Sequence, residues 1–240
     1  EAIDYAAKFI ATLDKTVLDI DSLENGVKLY STNWFTIDKL YRKYVYHMRA
    51  SKQPTLLDKL TSTIENLYSN NYLLKLSDTW QTHIDQLDKW SFSSYPMQKD
   101  FYSKYVKPVL NKNGKIYVVI SDALRYEVGD ELVSIIRQED MFEATIEPAI
   151  SMLPSYTQLG MASLLPNKTI AFSGDDQATV IVDEINARST NREKVLQSYV
   201  PKSVTVSAKA LMDMTKDGDN GTRALVRDND VVYVYHDIID

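Results

Sequence analysis

Cysteine is absent from the 240 residues. Disulfides, thiolate-ligated zinc and thiol nucleophiles are therefore excluded. Histidine is scarce, at His47, His83 and His236. The first two fall inside helical stripes, where a core or surface role is the simpler reading. Long apolar runs are missing too. Nothing approaches the roughly 20 residues that a bilayer-crossing helix needs, and the first residues do not read as a signal peptide. Positive charge is not in excess: 27 Lys and Arg stand against 33 Asp and Glu, a net charge of −6. This argues against a strongly basic nucleic-acid scaffold, while leaving room for a local basic patch. Together the absences fit a cytoplasmic protein with no membrane association. No repeat and no low-complexity tract is present.

What is there divides in two. Charged residues make up 25% and hydrophobic residues 44%, an ordinary globular balance. The first part reads as helical. Ile37, Leu40, Tyr41, Tyr44, Val45 and Met48 form one stripe after a polar Ser31-Thr32-Asn33 start. Leu57, Leu60, Ile64 and Leu67 form a second, Leu73, Leu76, Trp80, Ile84 and Leu87 a third. Ile3, Phe9, Ile10 and Leu13 suggest one more, and Phe101 to Val109 a last helix ending near Gly114. Beyond Gly114 strands alternate with helices. Strands are expected at Ile116–Ile120, around Phe142–Ile150, near Thr169–Phe172, at Val204–Val206 and at Val231–Tyr235. Helices are expected after the first strand, after Leu153, and over Glu193–Tyr199. Such alternation indicates an α/β fold with a mostly parallel sheet and right-handed crossovers. The boundary is expected near residue 112, with a helical region over 1–112 and the α/β domain over 113–240.

The stretch Lys115-Ile-Tyr-Val-Val-Ile-Ser-Asp122 reads as a buried parallel strand ending in a carboxylate. Open α/β sheets bind ligands at that end. Asp122 reads equally as a ligand-binding carboxylate and as the N-cap of the helix that follows. An apolar strand ending in Asp also resembles a Walker B strand, but the partner G-x-x-x-x-G-K-[ST] loop is absent and that reading is discarded. Ser155-Tyr-Thr-Gln158 has capping-box spacing, which places Thr157 in the first turn of a helix with Ser155 as N-cap. A hydroxyl there lies in the positive end of the helix dipole; by itself the pattern describes an ordinary first-turn threonine more often. His236, Asp237 and Asp240 follow a strand expected to be central and leave the sheet on the same edge as Asp122. His236 reads as a metal ligand or as a buried, hydrogen-bonded histidine. Asp217-Gly-Asp-Asn-Gly221 lacks the glycine and glutamate of a calcium loop and reads as a solvated turn. The chain begins at Glu1 and stops just past a core strand, so an excerpt of a longer protein is expected.

Four segments in this order resemble the PglZ domain, a branch of the alkaline-phosphatase superfamily in bacterial phage-defence systems (BREX and phage growth limitation). They are Ser121-Asp-Ala-Leu-Arg-Tyr-Glu127, Leu153-Pro-Ser-Tyr-Thr-Gln-Leu-Gly-Met161, Asn191-Arg-Glu-Lys194 and Tyr233-Val-Tyr-His-Asp-Ile-Ile-Asp240. The resemblance covers roughly the second half and implies an alkaline-phosphatase-like domain cut before its C-terminal half. It implies a metal-dependent phosphoesterase, a phosphodiesterase, nuclease or phosphatase, with two divalent ions: zinc, with manganese or magnesium as alternatives. Thr157 would be the nucleophile and a ligand of one ion, Asp122 a ligand of that same ion, and Asp240 the aspartate of the other, with His236 close by. Asp237 stands where the family is expected to carry Asn. The superfamily draws further ligands from an Asp-His pair on a later strand, so this chain is expected to hold half a site and to be inactive by itself. The partners implied are other proteins of the defence system and a phosphoester or nucleic-acid substrate. The rival reading is a non-catalytic scaffold that docks other subunits through the tyrosine-rich helical region.

Overall fold

The computed structural model describes residues 1–52, 54–174, 178–216 and 221–239. Asp240 and most of the Asp217–Gly221 turn lie outside them. In chain order come helices α1 (Ala2–Lys15), α2 (Leu23–Leu29), α3 (Phe35–Ala50), α4 (Pro54–Asn66) and α5 (Lys75–Ile84). Wide π-type turns over Tyr30–Trp34 and Leu67–Leu74 join α2 to α3 and α4 to α5. After an irregular stretch follow α6 (Lys107–Leu110), β1 (Ile116–Ser121), α7 (Tyr126–Ile136), α8 (Thr157–Ser163), β2 (Ile170–Phe172), β3 (Val180–Val182) and β4 (Ile185–Asn186). The chain continues with α9 (Arg192–Tyr199), β5 (Ser203–Ser207), α10 (Ala208–Lys216), α11 (Gly221–Asp228) and β6 (Val231–His236). It divides into two compact units, one made of 1–90 with 125–148 and the other of 91–124 with 149–240. The boundary expected near residue 112 differs from this division, because α7 returns to the helical unit.

In the helical unit the predicted stripes bury Phe9, Leu13, Ile37, Tyr44, Leu57 and Ile64 in one core, joined by Trp34, Tyr68 and Tyr72, which the stripes did not include, while Ile3, Leu73 and Leu87 stay exposed. Ser31-Thr32-Asn33 does not start α3, as its polarity suggested. Ser31 and Thr32 turn their hydroxyls back onto the Lys28 carbonyl, at 3.2 and 2.7 Å, and the helix runs through. The second stripe and the third up to Ile84 likewise lie on one continuous helical run, 54–84, with Leu87 past its end and exposed. Inside this core sits Asp38, 6% exposed. Its carboxylate accepts hydrogen bonds from the hydroxyls of Tyr30 (2.9 Å), Tyr68 (2.7 Å) and Tyr72 (3.1 Å). Burial first, and then the Asp38 charge, hold the three phenols protonated well above their ordinary range.

α7 packs on α3 through complementary charge. Its acidic positions Glu127, Asp130 and Glu131 recur at the i, i+3, i+4 spacing of one helix face and meet Lys39, Arg42 and Lys43 of α3. Glu127 is the buried member, with Arg42 Nε at 3.4 Å. The Tyr126 ring meets Tyr30 and Phe35 edge-on. The segment 142–150 is not the expected strand. Its alternation of apolar residues is real, but it finds no sheet edge: Ala144 accepts from Arg137 Nε, Ile146 packs at Gly129 of α7, and Ile150 makes a lone bridge to Met97.

The other unit is built on the parallel sheet β1-β6-β5, with β6 central. Val118, Ile120, Val231 and Tyr233 enter one core with Leu159, Ala162, Leu165, Val195 and Leu196 from the flanking helices. This is the mostly parallel, helix-flanked sheet expected of the fold class. Beside it lies a small antiparallel sheet, β2-β3-β4, of which only β2 was legible. Its hairpin turn is Asp183-Glu184, both at positive φ (43° and 70°), a two-residue turn without the usual glycine. The Asp183 carboxylate takes on the glycine's work by accepting from Lys168 N, Thr169 N and Tyr199 Oη. Lys115, just before β1, donates to the carbonyls of Val226 (2.9 Å), Arg227 (2.6 Å) and Asn229 (2.9 Å), capping the end of α11. Lys115→Met is expected to cost about 1 kcal/mol in urea unfolding; an unchanged midpoint would refute that capping role. No described helix is long and apolar enough to cross a membrane.

Two carboxylates that are partly withdrawn from solvent contribute to the acid response. Burial pushes Glu131 up, but contacts with Lys43 and Arg42 outweigh it and hold the group below its ordinary value. Asp183 behaves alike, with the Tyr199, Thr169 and Lys168 hydrogen bonds overcoming burial. A lowered folded-state pKa contributes stability above the unfolded value, near 4, and loses it as pH falls through the folded value. Both units are therefore expected to weaken as pH drops below about 4. Urea midpoints at neutral and acid pH check this, and Glu131→Gln should flatten the dependence.

Candidate functional site

A cleft of about 300 Å³ opens at the carboxyl end of β1. Three chain segments line it: Ile120–Asp122, the stretch from Ser151 to Leu164, and Gln98. Asp122 and Thr157 both line this cleft, although 35 positions part them in the sequence.

Asp122 extends the ladder by one bond, its N–H donating to the His236 carbonyl at 2.9 Å. The chain then turns sharply, with Ala123 at φ 56°, a left-handed conformation that costs a residue with a Cβ. The Asp122 carboxylate supports this turn by accepting from Ala123 N at 3.0 Å through Oδ1. It does not cap α7, whose N-cap is Arg125. Among the described residues Oδ2 makes no hydrogen bond.

Thr157 is the first residue of α8 and is exposed. The N-cap is Tyr156, extended at φ −124°, and not Ser155, so the expected capping box is not formed. An aromatic anchor fixes this helix start instead. Tyr156 donates to the Ala178 carbonyl (2.9 Å) and its ring stacks on Phe172. The buried side of α8, Leu159, Met161 and Ala162, joins the core, which leaves Thr157 at the mouth of the cleft. Its hydroxyl has no hydrogen-bond partner among the described residues. Gln98, which the sequence reading passed over, is held by its own N–H donating to the Ile150 carbonyl at 2.7 Å and borders the cleft near Gly160.

His236 is not among the residues that line the cleft. Its Nδ1 lies 2.8 Å from Ser121 Oγ, so the ring is tied to β1. Asp237 is exposed, and Asp240 lies outside the described residues. His47 stacks on Tyr5 and meets Glu1, and His83 lies 3.0 Å from the Ile20 carbonyl; both are structural. Among the described residues no three His, Asp or Glu side chains gather as a metal cluster. Asp122 and Thr157 offer a carboxylate and a hydroxyl, an oxygen set that suits part of the shell of a hard or borderline divalent cation.

Among known proteins, a family match falls on the part of the chain that holds this cleft, and two relatives align over most of the chain. The family described as "BREX system PglZ alkaline phosphatase-like domain" matches residues 101–240. The chain is 35% identical over 221 residues to "Alkaline phosphatase-like protein BrxZ" of Escherichia coli O9:H4 (strain HS). It is 34% identical over 216 residues to "Alkaline phosphatase-like protein PglZ" of Bacillus cereus (strain H3081.97). Each alignment covers 89% of this chain and 25% of the relative, so the chain spans about a quarter of the length of these relatives.

Proposed function

The chain belongs to the BREX-system PglZ alkaline phosphatase-like family, and from that premise we propose that it carries part of the site of a metal-dependent phosphoesterase of a phage-defence system. The observation that supports the reading is the meeting of Asp122 and Thr157 in one cleft at the carboxyl edge of a parallel sheet.

Thr157 is the nucleophile. Its exposed, unpartnered hydroxyl attacks phosphorus, the P–O bond to the leaving alcohol breaks, and a phosphothreonine remains. Water then attacks that phosphorus, frees inorganic phosphate or a phosphomonoester and restores the hydroxyl. Asp122, with Oδ1 committed to its own turn, presents Oδ2 and would hold one divalent ion together with Thr157. Asp240, outside the described residues, would serve the second ion. Zinc is the first choice, manganese or magnesium the others. When bound, the ions withdraw charge from the attacking and leaving oxygens. His236, held by Ser121, fixes the end of β6 next to Asp122. The substrate is a phosphoester, with nucleic acid as one class, and the partners are other proteins of the defence system in the cytoplasm. The full-length protein and a bis-aryl phosphodiester test the reading: hydrolysis that survives both Thr157→Ala and Asp122→Ala would sink it.

A further inference from the structure

We propose that Arg192 is the anion-binding group of this cleft and takes the phosphoryl oxygens of the substrate. Arg192 opens α9, and its guanidinium lies over the Tyr235 ring, 4.7 Å from the centroid. Its Nε is buried and makes no hydrogen bond. The neighbouring carboxylate is already committed: Glu193 Oε2 accepts from Thr205 N (2.8 Å) and Thr205 Oγ1 (3.2 Å) on β5. No carboxylate among the described residues pairs with Arg192. A guanidinium held partly out of water without an anion is costly, and the cost is recovered when a planar, bidentate anion arrives.

The register of the sheet says where such an anion would lie. Tyr235 pairs with Ile120 on β1, and Ser121 with His236. Residues in register on adjacent parallel strands point to the same face, about 4.8 Å apart. Ile120 lines the cleft that holds Asp122 and Thr157. The Arg192 guanidinium is thus on the face of the sheet that Ile120 shares, one strand over and near the carboxyl end, beside the cleft and not among its lining residues. The contact with Tyr235 holds the guanidinium in place, and its Nε is left unpaired. Burial pushes the Tyr235 phenol up to about 12 against the opposing pull of Arg192, so the ring stays a neutral platform at working pH.

The assignment rests on the phosphoester reading, and its test separates the two. Inorganic phosphate is titrated calorimetrically into the full-length protein and its Arg192→Met and Arg192→Lys variants, and phosphodiester hydrolysis is measured in parallel. Arg192→Met is expected to weaken phosphate binding at least about tenfold, the scale of a lost charge-assisted hydrogen bond, and Arg192→Lys by less, since it keeps the charge and loses the fork. Phosphate affinity unchanged in Arg192→Met overturns the proposal, even where Thr157→Ala still abolishes hydrolysis. A weakened affinity supports it, even where hydrolysis proves independent of Thr157 and the nucleophile assignment fails. If circular dichroism shows Arg192→Met unfolded, Arg192→Lys decides, with wild-type affinity again the overturning result.

Discussion

Asp38→Ala is expected to destabilise the helical unit by about 3–5 kcal/mol, most or all of what a unit of this size has in hand. The carboxylate is 6% exposed and receives three tyrosine hydroxyls from two parts of the chain: Tyr30 in the turn before α3, and Tyr68 and Tyr72 in the turn between α4 and α5. Alanine leaves three buried hydroxyls facing a void. Each then loses its carboxylate acceptor; Tyr72 keeps the Trp34 carbonyl at 3.3 Å and Tyr68 keeps only the Arg125 donor. Asp38→Asn retains an acceptor but turns donors toward hydroxyl donors, so an intermediate loss is expected. Urea unfolding followed by tyrosine and tryptophan fluorescence measures both. A loss below about 1 kcal/mol for Asp38→Ala would mean that the cluster is ornament to a core held by its apolar contacts.

The second large effect belongs to Thr157. Removing a nucleophile, with binding and charge stabilisation left in place, lowers turnover by at least about a thousandfold. Thr157→Ala should therefore lower kcat by that much with little change in KM. Thr157→Ser keeps a hydroxyl at the same helix start and should retain much of the rate. Acid quenching during turnover should trap phosphate on the Thr157 peptide in the wild type and in the serine variant, and not in the alanine variant. Stability should be untouched, because the side chain is exposed and unpartnered. Near-wild-type turnover by the alanine variant would remove Thr157 from the chemistry.

Much of this was visible in the residues, for physical reasons that also mark where vision stopped. β6 announces itself because a strand covered on both faces reads as an unbroken apolar run; β1 carries the same kind of run but lies at the sheet edge with Tyr117 and Val119 exposed, so it is buried on one face only and not as a fully covered strand. The helical stripes are visible because burial at 3.6-residue spacing leaves its print on any sequence. The segment 142–150 shows the limit of such prints: Phe142, Ala144 and Ile146 alternate as a strand would, yet alternation records which side chains turn inward and not whether a partner edge exists. The β3–β4 hairpin escaped because its turn is Asp183-Glu184, where pattern reading looks for glycine. Asp122 and Thr157 were named as candidates from local rules plus resemblance, and both line one cleft, although the rule for Thr157 placed its cap one residue early. Arg192 was quoted in a motif and given no role, since its lack of a partner is a fact of three-dimensional packing. The place of α7 was readable only by setting its acidic face beside the basic face of α3, a comparison across some ninety positions.

That separation has a consequence for how the protein is made. A ribosome delivers α1 to α5 long before α7, so Lys39, Arg42 and Lys43 emerge with no acidic partner and the Tyr30–Phe35 surface without Tyr126. The helical unit closes this seam only after β1 has been synthesised and α7 has left the exit tunnel. Folding in order of synthesis is thus unavailable to the first ninety residues as a finished body; they must wait, partly assembled, for a helix that the next unit's first strand precedes.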